Sequence, residues 1–370
     1  MHVLVTTDTL NGLWAYTREL VTGLVGRRVR VTLVSFGEIP LPKEIAWMDR
    51  LHDFQYLPTA FRLDWMQEGQ LDFADTSAYL SAVVKELKPN LIHSNHLAYG
   101  ALAVAIPRIV VAHGDLITWW KTVRGQEPKL TPWLRWYRHT LERGIARATV
   151  VVAPSQWMLE SVQSTYGCGA RQLVIPHGRN PILFNPYISK DGSVLAIGRA
   201  LDPAKQLHLL TGQDHPMPVC VLDEGEDSVV SRRSVGSDDR ADAISEPAQT
   251  RQSESRLRLL YSRAAIFVGT SRYEPSGMTM LCAALSRCAL LLNDIPSQRE
   301  IWGEAAVYFR ENDGESLAGN LRLLSENREL RKEYGNRAFF RARQCFNANR
   351  MVEQYLQLYH RVCVPQSRVA

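Results

Sequence analysis

Short unbroken apolar runs recur along the chain, and between them lie stretches whose apolar residues return every third or fourth position. The runs at Val3–Thr6, Val29–Ser35, Leu91–Ser94, Arg108–Ala112, Thr149–Ala153 and Leu173–Ile175 read as strands. A second series follows at Ser193–Ile197, Val219–Leu222, Ala265–Gly269 and Ala289–Leu292. Strands this apolar on both sides belong to a parallel sheet covered by helices. The helical stretches supply that cover. Leu13, Tyr16, Leu20 and Leu24 lie on one face of a first helix, and further helices are predicted at 78–88, 132–146, 206–210, 255–262, from about Met278, and at 314–324, 328–344 and 348–361. Ser155 in Pro154-Ser155-Gln156-Trp157 has the form of a helix N-cap.

Alternation of strand and helix throughout predicts an α/β fold of two Rossmann-like, doubly wound domains. A chain of 370 residues exceeds one ordinary core and suits two domains, assigned as 1–180 and 181–347, with a C-terminal helix in 348–370. Two stretches resist the pattern. Phe36–Asp75 is rich in Pro, Trp and Asp, and Asp223–Gln252 is polar without a clean strand and reads as a partly mobile loop.

Composition narrows the class. Lys and Arg exceed Asp and Glu by 43 to 38, a mild net charge of +5 that suits an anionic ligand or an acidic surface but not a dedicated nucleic-acid binder. Cysteines at 168, 220, 282, 288, 345 and 363 show neither CxxC pairs nor zinc-like spacing with histidine, and read as buried thiols. The apolar runs are too short to span a membrane and the chain opens on a strand, so the expectation is a cytoplasmic protein, with the inner face of the membrane as an alternative place of work.

Candidate chemistry lies just after strands. Tyr273-Glu274-Pro275-Ser276-Gly277-Met278-Thr279 joins a strand to a helix, where the N–H groups of a first turn favour an anion and glycine permits close approach. Gly198-Arg199 ends another strand, and Lys205 follows six residues on. An arginine fork and a lysine point charge beside a helix start make a diphosphate clamp that needs no metal, although a surface Arg and Lys are individually unremarkable. Gly12 enters the first helix as a weak phosphate-loop signal without a GxGxxG spacing. His113, on the loop after a strand, either caps the next helix or faces a ligand. His93 and His96 lack a third matching ligand, so no metal site is expected; the acids Asp223-Glu224-Gly225-Glu226-Asp227 are the competing cation site. Aromatic and basic residues interleave from Trp119 to Arg147: the helix 132–146 is expected to pack Trp133, Trp136, Tyr137 and Leu141 on its sheet, and a Trp119–Lys129 loop is left as a contact surface for a lipid-linked or anionic acceptor.

The segment 273–278, with Asn293-Asp294-Ile295-Pro296-Ser297 and Glu300, resembles the donor-sugar segment of family 4 glycosyltransferases, as do Gly198-Arg199 with Lys205, His113, and Val174-Ile175-Pro176-His177-Gly178. The resemblance covers nearly the whole chain. It implies two Rossmann-like domains facing a cleft (the GT-B architecture) and a retaining, metal-independent sugar transfer from a nucleotide-sugar without a cofactor. Glu274 and His113 would orient the sugar and Arg199 and Lys205 would hold the diphosphate. Gly12, Gly198, Pro275, Ser276, Gly277, Met278, Thr279 and Cys282 would complete the donor site. The family writes Glu, seven residues, Glu; this chain has Cys282 in the second place, where a ribose-binding carboxylate is usual. The resemblance also implies a hexosyl donor, a carbohydrate, lipid-linked or small-molecule acceptor, no nucleic acid, a peripheral membrane contact as an option, and a last helix crossing back onto the first domain. The rival reading is a non-catalytic nucleotide-sugar or glycan-binding protein on the same scaffold, favoured by Cys282 and the single glycine near Gly12.

Overall fold

The computed structural model describes residues 1–9, 11–167, 170–223, 229–232 and 254–364. Cys168, the acids 224–227 and most of the polar stretch 223–252 lie outside the described residues. The chain divides into two compact units, 1–178 with 348–370, and 179–347.

The first unit runs β1 (His2–Asp8), α1 (Asn11–Val25), β2 (Arg30–Phe36), α2 (Pro42–Ile45), β3 (Phe54–Pro58), α3 (Gln70–Leu87), β4 (Leu91–Ser94), β5 (Arg108–Val111), α4 (Leu116–Arg124), α5 (Pro132–Arg147), β6 (Val150–Ala153), α6 (Gln156–Tyr166) and β7 (Arg171–Val174). Its sheet is parallel in the order β3-β2-β1-β4-β5-β6-β7. The order reverses between β1 and β4, the place where open α/β sheets leave room for a ligand beyond their carboxyl ends. Every residue of β1, β4 and β6 is buried, which is why these strands read as unbroken apolar runs.

The second unit contains β8 (Val194–Gly198), α7 (His208–Thr211), β9 (Val219–Asp223), β10 (Val229–Arg232), α8 (Glu254–Arg263), β11 (Ile266–Gly269), α9 (Met278–Leu285), β12 (Ala289–Asn293), α10 (Pro296–Trp302), β13 (Val307–Phe309), α11 (Gly314–Glu326) and α12 (Arg328–Cys345). Its strands follow the order β10-β9-β8-β11-β12-β13, and only β10 is antiparallel to its neighbour. Here the switch falls between β8 and β11. Two cores flank this sheet, one around Phe267, Leu281 and Trp302, the other around Ile266, Leu291 and Phe309. A final helix, α13 (Ala348–Cys363), belongs to the first unit and buries Met351, Val352, Tyr355, Leu358 and Tyr359.

Three sequence expectations need correction. Phe36–Asp75 holds a strand: β3 is an edge strand with a half-buried pattern, so it never shows a continuous apolar run, and α3 begins at Gln70, well before the predicted start. Residues 223–252 contain β10, an antiparallel edge strand whose Ser231 and Arg232 disguise it. The supposed Trp119–Lys129 loop is helical as far as Arg124, because Asp115 accepts from Ile117 N–H and Thr118 N–H and starts α4 there. Asp115, and not His113, is therefore the cap. Ser155 caps α6 as its sequence suggested, accepting from Met158 N–H at 3.2 Å. On α5, Leu134, Tyr137, Leu141 and Ile145 are buried, with Trp133 and Trp136 packed partly against them.

Candidate functional site

In the second unit the predicted donor residues gather at the β8/β11 switch. Gly198 is the last residue of β8, and the next, Arg199, is exposed. A side chain at Gly198 would be crowded: a Cβ there would stand 3.1 Å from Cβ and Cγ of Lys205, so its absence lets the lysine stem lie across the strand end. The loop carrying Lys205 is tied to the loop after β11, since Thr270 Oγ1 donates to Lys205 O and Arg272 N–H donates to Ala204 O at 2.9 Å. Helix α7 is shorter than expected and begins at His208, three residues beyond Lys205.

Glu274 is 7% exposed and joins both loops. One carboxylate oxygen accepts from Gly277 N–H at 3.2 Å, and the other lies 3.3 Å from Lys205 Nζ. Glu274 is thus a buried acid with Lys205 beside it, able to accept from ligand hydroxyls. Gly277 sits at the N-cap of α9 with φ +64, a conformation glycine adopts without strain. The ladder of α9 begins with Leu281 N–H donating to Gly277 O at 2.8 Å, so the N–H groups of Met278, Thr279 and Met280 precede it and form the positive end of the helix. Pro275 and Ser276 form the turn between Glu274 and Gly277. Cys282 lies in α9, buried in the cluster with Met280, Leu281 and Ala283, and none of the five described cysteines is in a disulfide.

In the first unit, β1 and β4 deliver a different set of groups to the β1/β4 switch. Gly12 is exposed in the first turn of α1. His113 follows β5, with Nε2 at 2.8 Å from Asn95 Oδ1 and Nδ1 at 3.0 Å from His177 Nε2. His93 Nε2 reaches the same Asn95 oxygen at 3.2 Å, and His93 Nδ1 lies 2.6 Å from the Tyr359 hydroxyl. Tyr16 donates to the Tyr355 hydroxyl at 2.9 Å. Sequence reasoning missed Asn95 and the tyrosines of α13, since nothing local ties positions so far apart in the chain. It quoted His177 only within a motif. Burial depresses every imidazole of this set: His93 to about 4, His177 and His96 to about 3, and His113 well below its ordinary value, with the neighbouring histidines adding to the effect. All are neutral rings at physiological pH.

Among the described residues, no group of three or more His, Cys, Asp or Glu is placed to hold a metal ion. Among those residues, no helix is long and apolar enough to cross a membrane. A cavity of about 420 Å³ lies between α3 and α5, lined by Phe73, Tyr99 and Trp136 with Arg143 at the wall, so part of the aromatic-basic stretch faces an apolar recess.

Two sequence profiles match, one on each side of the division: Glycosyltransferase Family 4 over residues 10–181, and Glycosyl transferases group 1 over residues 249–340. The chain belongs to the family 4 type glycosyltransferases. Solved structures of the same fold include sucrose-phosphate synthase from Thermosynechococcus elongatus, with TM-score 0.75, 15% identity and 98% of each chain covered. Another is HepE from Anabaena in complex with UDP and glucose, with TM-score 0.71, 16% identity, and coverage of 98% of this chain and 100% of that one. A third is WaaG, a glycosyltransferase involved in lipopolysaccharide biosynthesis, with TM-score 0.68, 12% identity, and coverage of 97% and 99%. No curated protein sequence matches. In this glycosyltransferase both sheets thus present their predicted site residues at the switch points, one set charged and one neutral.

Proposed function

We propose that this glycosyltransferase moves a hexosyl group from a nucleotide-sugar to a hydroxyl acceptor, without a metal ion and with retention of anomeric configuration. The observation that carries the reading is the junction at the β8/β11 switch, where Lys205, Glu274 and the start of α9 converge beside Arg199. Arg199, Lys205 and the first N–H groups of α9 are the natural partners of a diphosphate, and charge developing on a leaving phosphate is stabilised by donors already in place. A divalent ion is redundant where two cations and a helix start hold the same charge. The Anabaena neighbour carries UDP-glucose in one structure, which supports a donor of this class.

The transfer balances without a protein base. The bond from the anomeric carbon to the diphosphate oxygen breaks, the acceptor oxygen bonds to that carbon on the same face, and the acceptor proton passes to the leaving phosphate. Glu274 orients the sugar by accepting from its hydroxyls. The acceptor is a carbohydrate, a lipid-linked or a small-molecule hydroxyl compound, and the reaction takes place in the cytoplasm or at the inner membrane face.

Thermal unfolding in the presence of nucleotide-sugars tests this reading. A ligand at a hundredfold its dissociation constant adds about 2.7 kcal/mol of stability, and sugar transfer or slow hydrolysis of the same ligand separates an enzyme from a binding protein. Stabilisation by nucleotide-sugars with no turnover, with water or any offered acceptor, would favour the non-catalytic alternative.

A further inference from the structure

The hydrogen bonds of the first unit fix the protonation pattern of its histidines one atom at a time. Asn95 Nδ2 lies 2.8 Å from the Thr6 carbonyl oxygen, which only accepts, so the amide nitrogen faces Thr6 and the amide oxygen faces the imidazoles. That oxygen is a pure acceptor at 2.8 Å from His113 Nε2 and 3.2 Å from His93 Nε2, so both nitrogens carry hydrogen. Neutral rings have one N–H each. Hence His93 Nδ1 accepts from the Tyr359 hydroxyl, and His113 Nδ1 accepts from His177 Nε2–H. His177 Nδ1, buried and without a partner, ends the chain as a bare acceptor.

His96 shows the opposite form. Ser94 Oγ donates to His96 O at 2.8 Å, so its lone pairs take Thr6 Oγ1–H, and Thr6 Oγ1 in turn accepts from His96 Nδ1–H at 3.1 Å. Four histidines are therefore held in two tautomers by the same short stretch of β1 and β4.

We propose that Asn95 is the positioning residue that fixes His113 as a hydrogen-bond acceptor, so that the ligand group His113 takes is a hydroxyl that donates to Nδ1 in exchange for His177. The second half of this statement rests on the nucleotide-sugar reading; the first does not. Nε2–H is committed to Asn95, and Nδ1 is the one ring position whose partner can be exchanged without breaking the amide junction. His177 is the exchangeable partner because its ring is bonded to His113 through Nε2 while its Nδ1 has no partner, whereas Asn95 is also anchored to Thr6. A sugar hydroxyl has the required donor, and an ether or a fluorine in its place does not.

The titratable groups around the ring come from each element packed on it: Tyr16 from α1, His93 and His96 from β4 and the turn after it, His177 after β7, and Asp115 two residues along its own loop. Tyr355 and Tyr359 of α13 stand behind His93, and Asp8 of β1 lies 4.0 Å from His96 Nε2. The hydrogen bonds of the His113 ring itself go to Asn95 and His177, neither of them a carboxylate. Asn95→Asp places one there and retains the accepting oxygen, so it draws a proton onto the His113 or His93 ring and turns Nδ1 into a donor.

The test is nitrogen-15 NMR of the histidine rings in the full chain near pH 7.5, with assignments from single histidine variants. The expected pattern is Nε2–H for His93, His113 and His177 and Nδ1–H for His96. An Nδ1–H or doubly protonated His113 overturns the assignment whatever the protein's substrate. The ligand half is read from whichever of UDP-, GDP- and ADP-glucose raises the melting temperature most. Asn95→Asp is expected to raise KM for that donor about tenfold where the ring is protonated, with recovery toward higher pH, while affinity for the free nucleoside diphosphate stays within about twofold. An unchanged KM across pH, or an equal loss for the diphosphate, overturns the acceptor role. If none of the three donors binds, the nucleotide-sugar reading fails with the ligand half of the proposal, and the ring pattern still decides the Asn95 assignment. Should Asn95→Asp not fold, the ring pattern of the unaltered protein and its loss of affinity for deoxyfluoro donors decide the two halves.

Discussion

The two sheets of this glycosyltransferase solve the same problem at their switch points with opposite chemistry. At β8/β11 the groups are charged: an exposed Arg199, and a Lys205 held 3.3 Å from the buried Glu274. At β1/β4 the groups are neutral, and donors and acceptors are matched through Asn95, His93, His113 and Tyr359. A charged site attracts by Coulomb force and is weakened by salt; a neutral, matched site recognises only by exchanging one hydrogen bond for another. The first suits a diphosphate, and the second suits sugar hydroxyls. On the proposed reading, affinity and discrimination fall to different regions of the chain.

The largest expected effect sharpens the charged side. Cys282 stands where relatives of the family place a carboxylate, yet it is buried in the core cluster of α9. Cys282→Glu is expected to lower stability by about 3–5 kcal/mol, since it drives a carboxylate out of water into the apolar cluster of Met280, Leu281 and Ala283. A normal melting temperature together with tighter nucleotide binding would instead assign this position to the ribose. Next comes the clamp: Lys205→Ala and Arg199→Ala are each expected to weaken nucleoside diphosphate binding by about 2–5 kcal/mol, with Lys205→Ala the more damaging because it also strands Glu274. An affinity unchanged by calorimetry removes that residue from the diphosphate site.

The neutral side is broken by acid. His93 is held down to about 4 and His177 and His96 to about 3, below the ordinary value of 6.5 that applies to the unfolded chain. Between those values the unfolded chain binds more protons, so stability rises with pH there. The contribution of these rings is complete above about pH 6.5 and is lost as pH falls toward 4, on the order of 3 kcal/mol for each ring that titrates in place. Asp64 works the other way, since burial holds its carboxyl up to about 6 and its contribution is lost as pH rises through that value. Four rings, His113 included, outweigh the two acids that burial raises, Asp64 and Asp115, so melting followed by calorimetry from pH 7.5 to 4.5 should fall most steeply below pH 6. A flat profile contradicts the neutral assignment. The smallest effect is Glu274→Gln, which keeps an acceptor for Gly277 N–H and removes the charge beside Lys205. Turnover is expected to fall by the equivalent of about 1.5–3 kcal/mol with little change in melting, and normal turnover would exclude a sugar-orienting role.

Legibility followed how locally each feature is encoded. Buried parallel strands such as β1, β6 and β12 announce themselves by continuous apolar runs, and the second site could be assembled from short motifs because Gly198, Arg199 and Lys205 lie within one loop, and Glu274 to Thr279 within another. The edge strand β3 was hidden by its half-buried pattern, β10 by its short mixed sequence Val-Val-Ser-Arg, and α4 by its aromatic and basic composition. The histidine network was illegible for a different reason. Thr6, Asn95, His113, His177 and Tyr359 are contributed by five separate segments, and only the sheet order and the packing of α13 on α1 and β4 make them neighbours. His113 was visible as a loop histidine, but the residue that decides its protonation was not.

Calorimetric titration of the full chain with UDP, GDP and ADP, at low and at high salt, tests the central claim most directly. The account requires at least one nucleoside diphosphate to bind, with affinity that falls as salt rises and that is lost in Arg199→Ala, while Asn95→Asp leaves it nearly unchanged. Absence of binding by all three, or binding indifferent to Arg199 and to salt, would contradict the assignment of the donor diphosphate to the β8/β11 switch.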